Sequence, residues 1–67
     1  MALAHVIGDL RGEAATLYNM ACCKCEIGDI RGAILSARRS IELYRELGDP
    51  RVTDVERWLL QNKARIE

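Results

Sequence analysis

Apolar residues recur at helical spacing in three segments of this chain, residues 10–27, 30–47 and 50–66. The second segment has the clearest pattern, because its apolar positions lie three or four residues apart and its charged residues gather on the opposite side. Its apolar stripe consists of Ile30, Ala33, Ile34, Ala37, Ile41 and Tyr44. The pattern predicts three α-helices and no strand.

The first and third segments differ in how much of their circumference is apolar. In the first, Leu10, Leu17 and Ala21 share one face while Met20 and Cys23 lie on another, which predicts neighbours on more than one side. The third has a narrower stripe with polar residues around it, which is typical of a terminal helix with one side exposed to solvent. Its apolar positions are Val52, Val55, Leu59 and Ile66.

An aliphatic residue, a glycine and an aspartate recur at residues 7–9, 27–29 and 47–49, always at the same interval. Glycine can adopt the left-handed conformation that closes a helix, and aspartate can cap the next one. The pattern therefore predicts a turn at each position, with Asp9 and Asp29 as N-caps and Pro50 in the first turn of the third helix.

These boundaries predict an all-α fold, an antiparallel helix-turn-helix with a third, capping helix. When the sequence is aligned with itself at an offset of twice the interval between Gly-Asp pairs, Leu3 aligns with Leu43 and Ile7 aligns with Leu47. We therefore predict that residues 1–8 are the end of a truncated preceding helix, that residues 9–48 form one helical hairpin and that residues 49–67 form the capping helix.

Residues 13–47, with the Gly-Asp pairs on both sides, resemble one tetratricopeptide repeat, a helical-hairpin unit of α-solenoids. Small residues lie where the two helices of such a repeat cross. Large apolar residues lie at its core positions, and Gly28-Asp29 lies at its turn. The matching positions are Leu17, Met20, Ala21, Ile30, Ala33, Ser40 and Ile41. Lys24 and Ala37 depart from the pattern, which has an aromatic and a large apolar residue there. The resemblance is to a variant with a 40-residue period, of which the chain holds about one and a half repeats, instead of the usual period of about 34.

Charge and composition narrow the class of partner. The chain has 67 residues, with 10 Lys and Arg balancing 10 Asp and Glu, and this neutrality argues against nucleic acid as the main partner. No apolar run approaches the roughly 18 residues of a membrane span. Three cysteines within residues 22–25 favour a reducing compartment over a disulfide scaffold, so we expect a cytoplasmic protein.

The chain offers little for catalysis or metal binding. Cys22, Cys23 and Cys25 could hold a metal together with His5, but no second ligand pair exists and a zinc site usually needs four ligands. His5 is the only histidine and has no acid–base partner at a recognisable spacing. We therefore expect no enzyme, no cofactor and no metal.

Two surface features have alternative interpretations. The arginines of the second helix interleave with Glu42 and Glu46, which favours a solvated, partly ion-paired face over a basic binding patch. They are Arg31, Arg38, Arg39 and Arg45, with Arg51 beyond the helix. Trp58 is either a packing residue, as tryptophan usually is, or an aromatic anchor for a partner.

A line of residues along the first helix is the candidate binding surface. Ala15, Asn19, Cys22 and Glu26 follow one another at i, i+4, i+7 and i+11, with Tyr18 beside them. The resemblance implies that this line faces a concave surface where extended peptides bind and that Asn19 bonds the peptide backbone. Ala15 stands where the chaperone-type version has a lysine, so capture of a terminal carboxylate is not expected. An ordinary exposed polar role for Asn19 is the alternative.

These observations predict a non-catalytic module that binds a protein or peptide on its first helix. The alternative is self-association, because repeats cannot bury their faces alone and about three are needed for stability. Residues short of neighbours would then pair between copies, giving a dimer or another homo-oligomer. They are Leu3, Val6, Ile7, Met20 and Cys23. A third possibility is a sensor segment of a larger regulator.

Overall fold

The computed structural model describes residues 2–64, and the side chains of residues 8–64. Three helices make up the fold: α1, Ala2–Glu26; α2, Ile30–Leu47; and α3, Arg51–Lys63. Consecutive helices are antiparallel, and α2 packs against both α1 and α3. The molecule is elongated, measuring 45 × 19 × 12 Å. The predicted all-α hairpin with a third helix is confirmed.

Both turns between helices use the same hydrogen-bonding device. Gly28 has a φ of 91° and Gly48 a φ of 66°, the left-handed region that glycine adopts without a steric penalty. The amide of Asp29 donates to the carbonyl of Lys24 at 2.8 Å, and that of Asp49 donates to the carbonyl of Tyr44 at 2.9 Å. This pattern, a Schellman motif, closes a helix and reverses the chain within two residues.

The aspartates that follow the glycines open the next helices. The Oδ1 atom of Asp29 accepts a hydrogen bond from the Gly32 amide at 3.1 Å, which caps α2 as predicted. The Oδ1 atom of Asp49 accepts one from the Arg51 amide at 2.9 Å. Asp49 is only 7% exposed, and its other oxygen lies 3.5 Å from the Nε of Arg11 on α1. This ion pair ties the second turn to the first helix.

The prediction of a turn at Gly8-Asp9 is wrong. Helix α1 passes through both residues without interruption, and Gly8 does not have a positive φ. A glycine within a helix costs only about 0.5–1 kcal/mol relative to alanine, so Gly8 does not by itself end the helix. Continuing the helix satisfies the backbone hydrogen bonds directly. The division of the chain at residue 8 stays a prediction, but it is not marked by a helix boundary.

Small side chains form the contact between α1 and α2. Ala21, Ala33 and Ser40, predicted at the helix-crossing points, are all completely buried, as is Ala14. The hydroxyl of Ser40 donates a hydrogen bond to the carbonyl of Ala14 at 2.8 Å. Small contact residues allow helix axes to approach within about 8 Å. The core around this crossing includes Ala37, Ile41, Leu43, Tyr44 and Val55.

The apolar stripe predicted for the third helix faces the core. Val55 is buried, and Val52 and Leu59 pack against the core. The helix begins one residue after the predicted position, with Pro50 in helical conformation just before it, and ends three residues earlier. Ile66, the last predicted position of the stripe, lies outside the described residues.

Candidate functional site: a groove between α1 and α3

An aromatic pair joins the first helix to the third. The rings of Tyr18 and Trp58 meet edge to face, with centroids 6.1 Å apart and planes at 88°. Both side chains are half-buried and pack against the core cluster. Their inner parts stabilise the fold, and their outer parts remain available at the surface.

A groove opens beside this pair. Its walls are Tyr18, Asp54, Arg57, Trp58 and Gln61. Asp54 and Arg57 lie on successive turns of α3 and carry opposite charges, and neither forms an ion pair with any described residue. The groove therefore combines aromatic surface with an acid, a base and an amide whose hydrogen-bonding groups face solvent.

A second contact also joins α1 to α3. The thiol of Cys25 donates to the Oδ1 of Asn62 at 3.2 Å. The Nδ2 of Asn62 in turn donates to the backbone carbonyl of Trp58 at 2.8 Å. This chain of hydrogen bonds runs from α1 to the turn of α3 that carries the tryptophan, so it holds the aromatic pair in register.

Electrostatic links connect the groove to the line of residues on α1. Burial, followed by the charges of Cys22 and Asp54, raises the pKa of Tyr18. Burial also raises the pKa of Cys22, with further contributions from Cys23, Cys25 and Glu26. Both groups are consequently neutral near pH 7, and the Cys22 thiol lacks the lowered pKa of an activated nucleophile.

The predicted binding residues lie on one side of α1, but only one of them lines the groove. Tyr18 is in its wall, Cys22 is half-buried one turn further along, and Glu26 is close enough to affect the Cys22 pKa. Asn19 is exposed, and Ala15 is half-buried. Their role in binding stays a prediction.

Sequence reasoning missed the α3 side of the groove, namely Asp54, Arg57 and Gln61. A usable signal was present, because Tyr18 and Trp58 are separated by twice the interval between Gly-Asp pairs, which is the predicted repeat period. Residues one period apart occupy equivalent places on neighbouring repeat units and therefore lie side by side.

The cysteines do not form a metal site in the described part of the chain. Cys22, Cys23 and Cys25 form no disulfide with described residues, and no cluster of three or more metal-ligating side chains occurs among the residues whose positions are described. The side chain of His5 lies outside that part. No helix within residues 2–64 has the length and apolar character required to span a bilayer.

The outer face of α2 is exposed and partly ion-paired, as its charge pattern predicts. Arg39 pairs with Glu42 at 3.1 Å, and Arg45 pairs with Glu56 of α3 at 2.9 Å. A second groove lies between α2 and α3, with Ile41, Leu59 and Leu60 among its walls. No family model, curated protein or solved structure matches this chain.

Proposed function

We propose that this chain is a non-catalytic binding module that receives an extended segment of a partner protein in the groove between α1 and α3. The half-exposed Tyr18–Trp58 pair carries the proposal. Aromatic side chains held rigidly at a surface are the usual anchors of protein interfaces, since they offer large contact areas at a low entropic cost.

The polar groups around the pair support an extended peptide as the ligand. Asp54, Arg57 and Gln61 border the aromatic surface and can bond polar side chains of a peptide. Asn19 is exposed on α1, and its amide offers both a donor and an acceptor, which suits the alternating N–H and C=O groups of an extended backbone.

The resemblance to tetratricopeptide repeats belongs to this proposal. Two antiparallel helices with small residues at their crossing, followed by a third helix packed on the second, is the arrangement expected of about one and a half such repeats. We also propose a cytoplasmic location, because three cysteines within four residues, an odd number, suit a reducing compartment better than a disulfide scaffold.

Trp58 provides the direct measurement, because it is the only tryptophan in the chain and lies in the groove. Peptides selected on the protein from a displayed random library should change the Trp58 fluorescence on titration. Asn19→Ala should weaken their binding about fivefold, from the loss of roughly one hydrogen bond. Glu26→Arg should also weaken their binding, with an unchanged circular dichroism spectrum.

Matched substitutions elsewhere on the exposed surface serve as controls. Thr16→Ala alters a different face of α1, and Glu46→Arg reverses a charge on α2, so both should bind like the unmodified protein. Selected peptides that leave Trp58 fluorescence unchanged would show that the groove is not the binding site. Normal binding by the Asn19 and Glu26 variants would show that these two residues of α1 take no part in it.

A further inference from the structure

The side of α1 that faces away from the core carries a continuous exposed stripe with alternating spacings of four and three residues. It consists of Asp9, Glu13, Thr16, Met20 and Cys23, and Ile27, the first residue after the helix, continues it; all six are exposed. This 3.5-residue repeat keeps a stripe facing a neighbouring helix along its whole length. The stripe is acidic toward its start and apolar toward its end, where Met20 is 43% and Ile27 81% exposed.

The outer face of α2 carries a second stripe with the same alternating spacing. It consists of Arg31, Leu35, Arg38, Glu42 and Arg45, again all exposed. Leu35 is 66% exposed and lies in a shallow, mainly apolar depression that Arg31, Ile34 and Arg38 also line. Arg31 and Arg38 form no ion pair with any described residue, while Glu42 and Arg45 are already paired.

The two stripes are complementary in both charge and apolar character. The α1 stripe contributes the Glu13 carboxylate, together with Met20 and Ile27. The α2 stripe contributes two arginines flanking Leu35, and arginine stems can also cover apolar side chains. Every residue of both stripes is exposed, so the stripes do not meet within one chain.

We infer that the α1 stripe of one copy docks on the α2 stripe of a second copy of this chain. The occupant is another copy because each stripe finds its charge complement on the same polypeptide. The contact joins two different surfaces, so it is heterologous, and each assembly still presents one free stripe of each kind at its two ends. Association therefore proceeds head to tail beyond a dimer, and it leaves the α1–α3 groove open.

Two single substitutions separate this arrangement from symmetric pairing. The full chain should sediment above the monomer mass at about 100 μM, within the usual range for weak contacts. Met20→Glu should prevent docking through the α1 stripe, and Leu35→Glu should prevent docking through the α2 stripe. Each variant alone should therefore sediment as a monomer. Mixed in equal amounts, they should form a complex of twice the monomer mass and no larger, since only one intact pair of stripes remains.

Controls keep this outcome interpretable. Leu60→Glu changes an equally apolar side chain, 72% exposed but on the α2–α3 groove, and should associate like the unmodified chain. Ile27→Glu tests the α1 stripe a second time, and helical circular dichroism should persist in all four variants because the altered side chains are exposed. A monomeric unmodified chain, a Leu35→Glu variant that still associates alone, or a mixture that stays monomeric would each overturn the inference.

Discussion

Ser40 shows how a single small polar side chain can join two helices. It is completely buried, and its hydroxyl bonds the Ala14 carbonyl across the α1–α2 contact. The resemblance to a tetratricopeptide repeat predicted its place at the crossing, but not its partner on the other helix. The burial of Asp49 and its pairing with Arg11 were also not predicted, since both depend on how the second turn lies against α1.

Substitutions at Ser40 should distinguish the hydrogen bond from the close packing. Ser40→Ala removes the bond and should lower the free energy of unfolding by about 1 kcal/mol. Ser40→Leu forces extra volume between the helices and should cost about 1–3 kcal/mol more. Urea unfolding followed by circular dichroism measures both. Equal losses for the two variants would mean that α1 and α2 are not in close contact at this point.

Helix boundaries depend on more than the local sequence. The same aliphatic-Gly-Asp pattern forms a turn at Gly28 and at Gly48 but lies inside a helix at Gly8. At each of the two turns, a long helix follows and packs back on the preceding one, which compensates for the helical hydrogen bonds that are lost. At Gly8 the helix continues, because a glycine inside a helix costs only about 0.5–1 kcal/mol relative to alanine and does not by itself break it.

Alanine substitutions at two glycines test this difference directly. Gly48→Ala places a side chain in the left-handed conformation and should destabilise the protein by about 1–2 kcal/mol. Gly8→Ala should instead stabilise it by about 0.5–1 kcal/mol, because Gly8 is helical and a Cβ there meets no atom within 4 Å. Thermal unfolding of both variants gives the sign of each change. A destabilised Gly8→Ala variant would indicate a turn at that position after all.

Contacts between side chains that are distant in the sequence bring α1 and α3 together. The Tyr18–Trp58 pair and the Cys25–Asn62 hydrogen bond hold the two helices across the groove. Because these contacts partly bury Tyr18 and place Asp54 beside it, the tertiary arrangement alters the titration of the groove. The free energy of unfolding at alkaline pH should consequently depend on the burial of Tyr18 in the groove.

The direction of that pH dependence follows from the raised pKa values. Folding favours the neutral forms of Cys22 and Tyr18, whose ordinary pKa values are 9.0 and 10.0. The associated stability is complete below those values and is lost as pH rises through the higher folded-state values. Urea unfolding between about pH 7 and pH 11 should show a smaller alkaline loss for the Tyr18→Phe/Cys22→Ala variant. A parallel loss in both proteins would contradict the prediction.

The three helical segments, the two glycine turns and the aspartate cap of α2 could be predicted from the sequence alone. Each of these depends on residues close together in the chain, through helical periodicity, backbone conformation or capping hydrogen bonds. The tertiary structure was needed to show that α1 continues through Gly8, that Asp49 is buried against Arg11 and that Asp54, Arg57 and Gln61 border Tyr18. The burial of Asp49 and the walls of the groove depend on which distant segments pack together, and local sequence patterns do not contain that information. The same local pattern has different outcomes at Gly8 and Gly28, so the pattern alone does not decide where a helix ends.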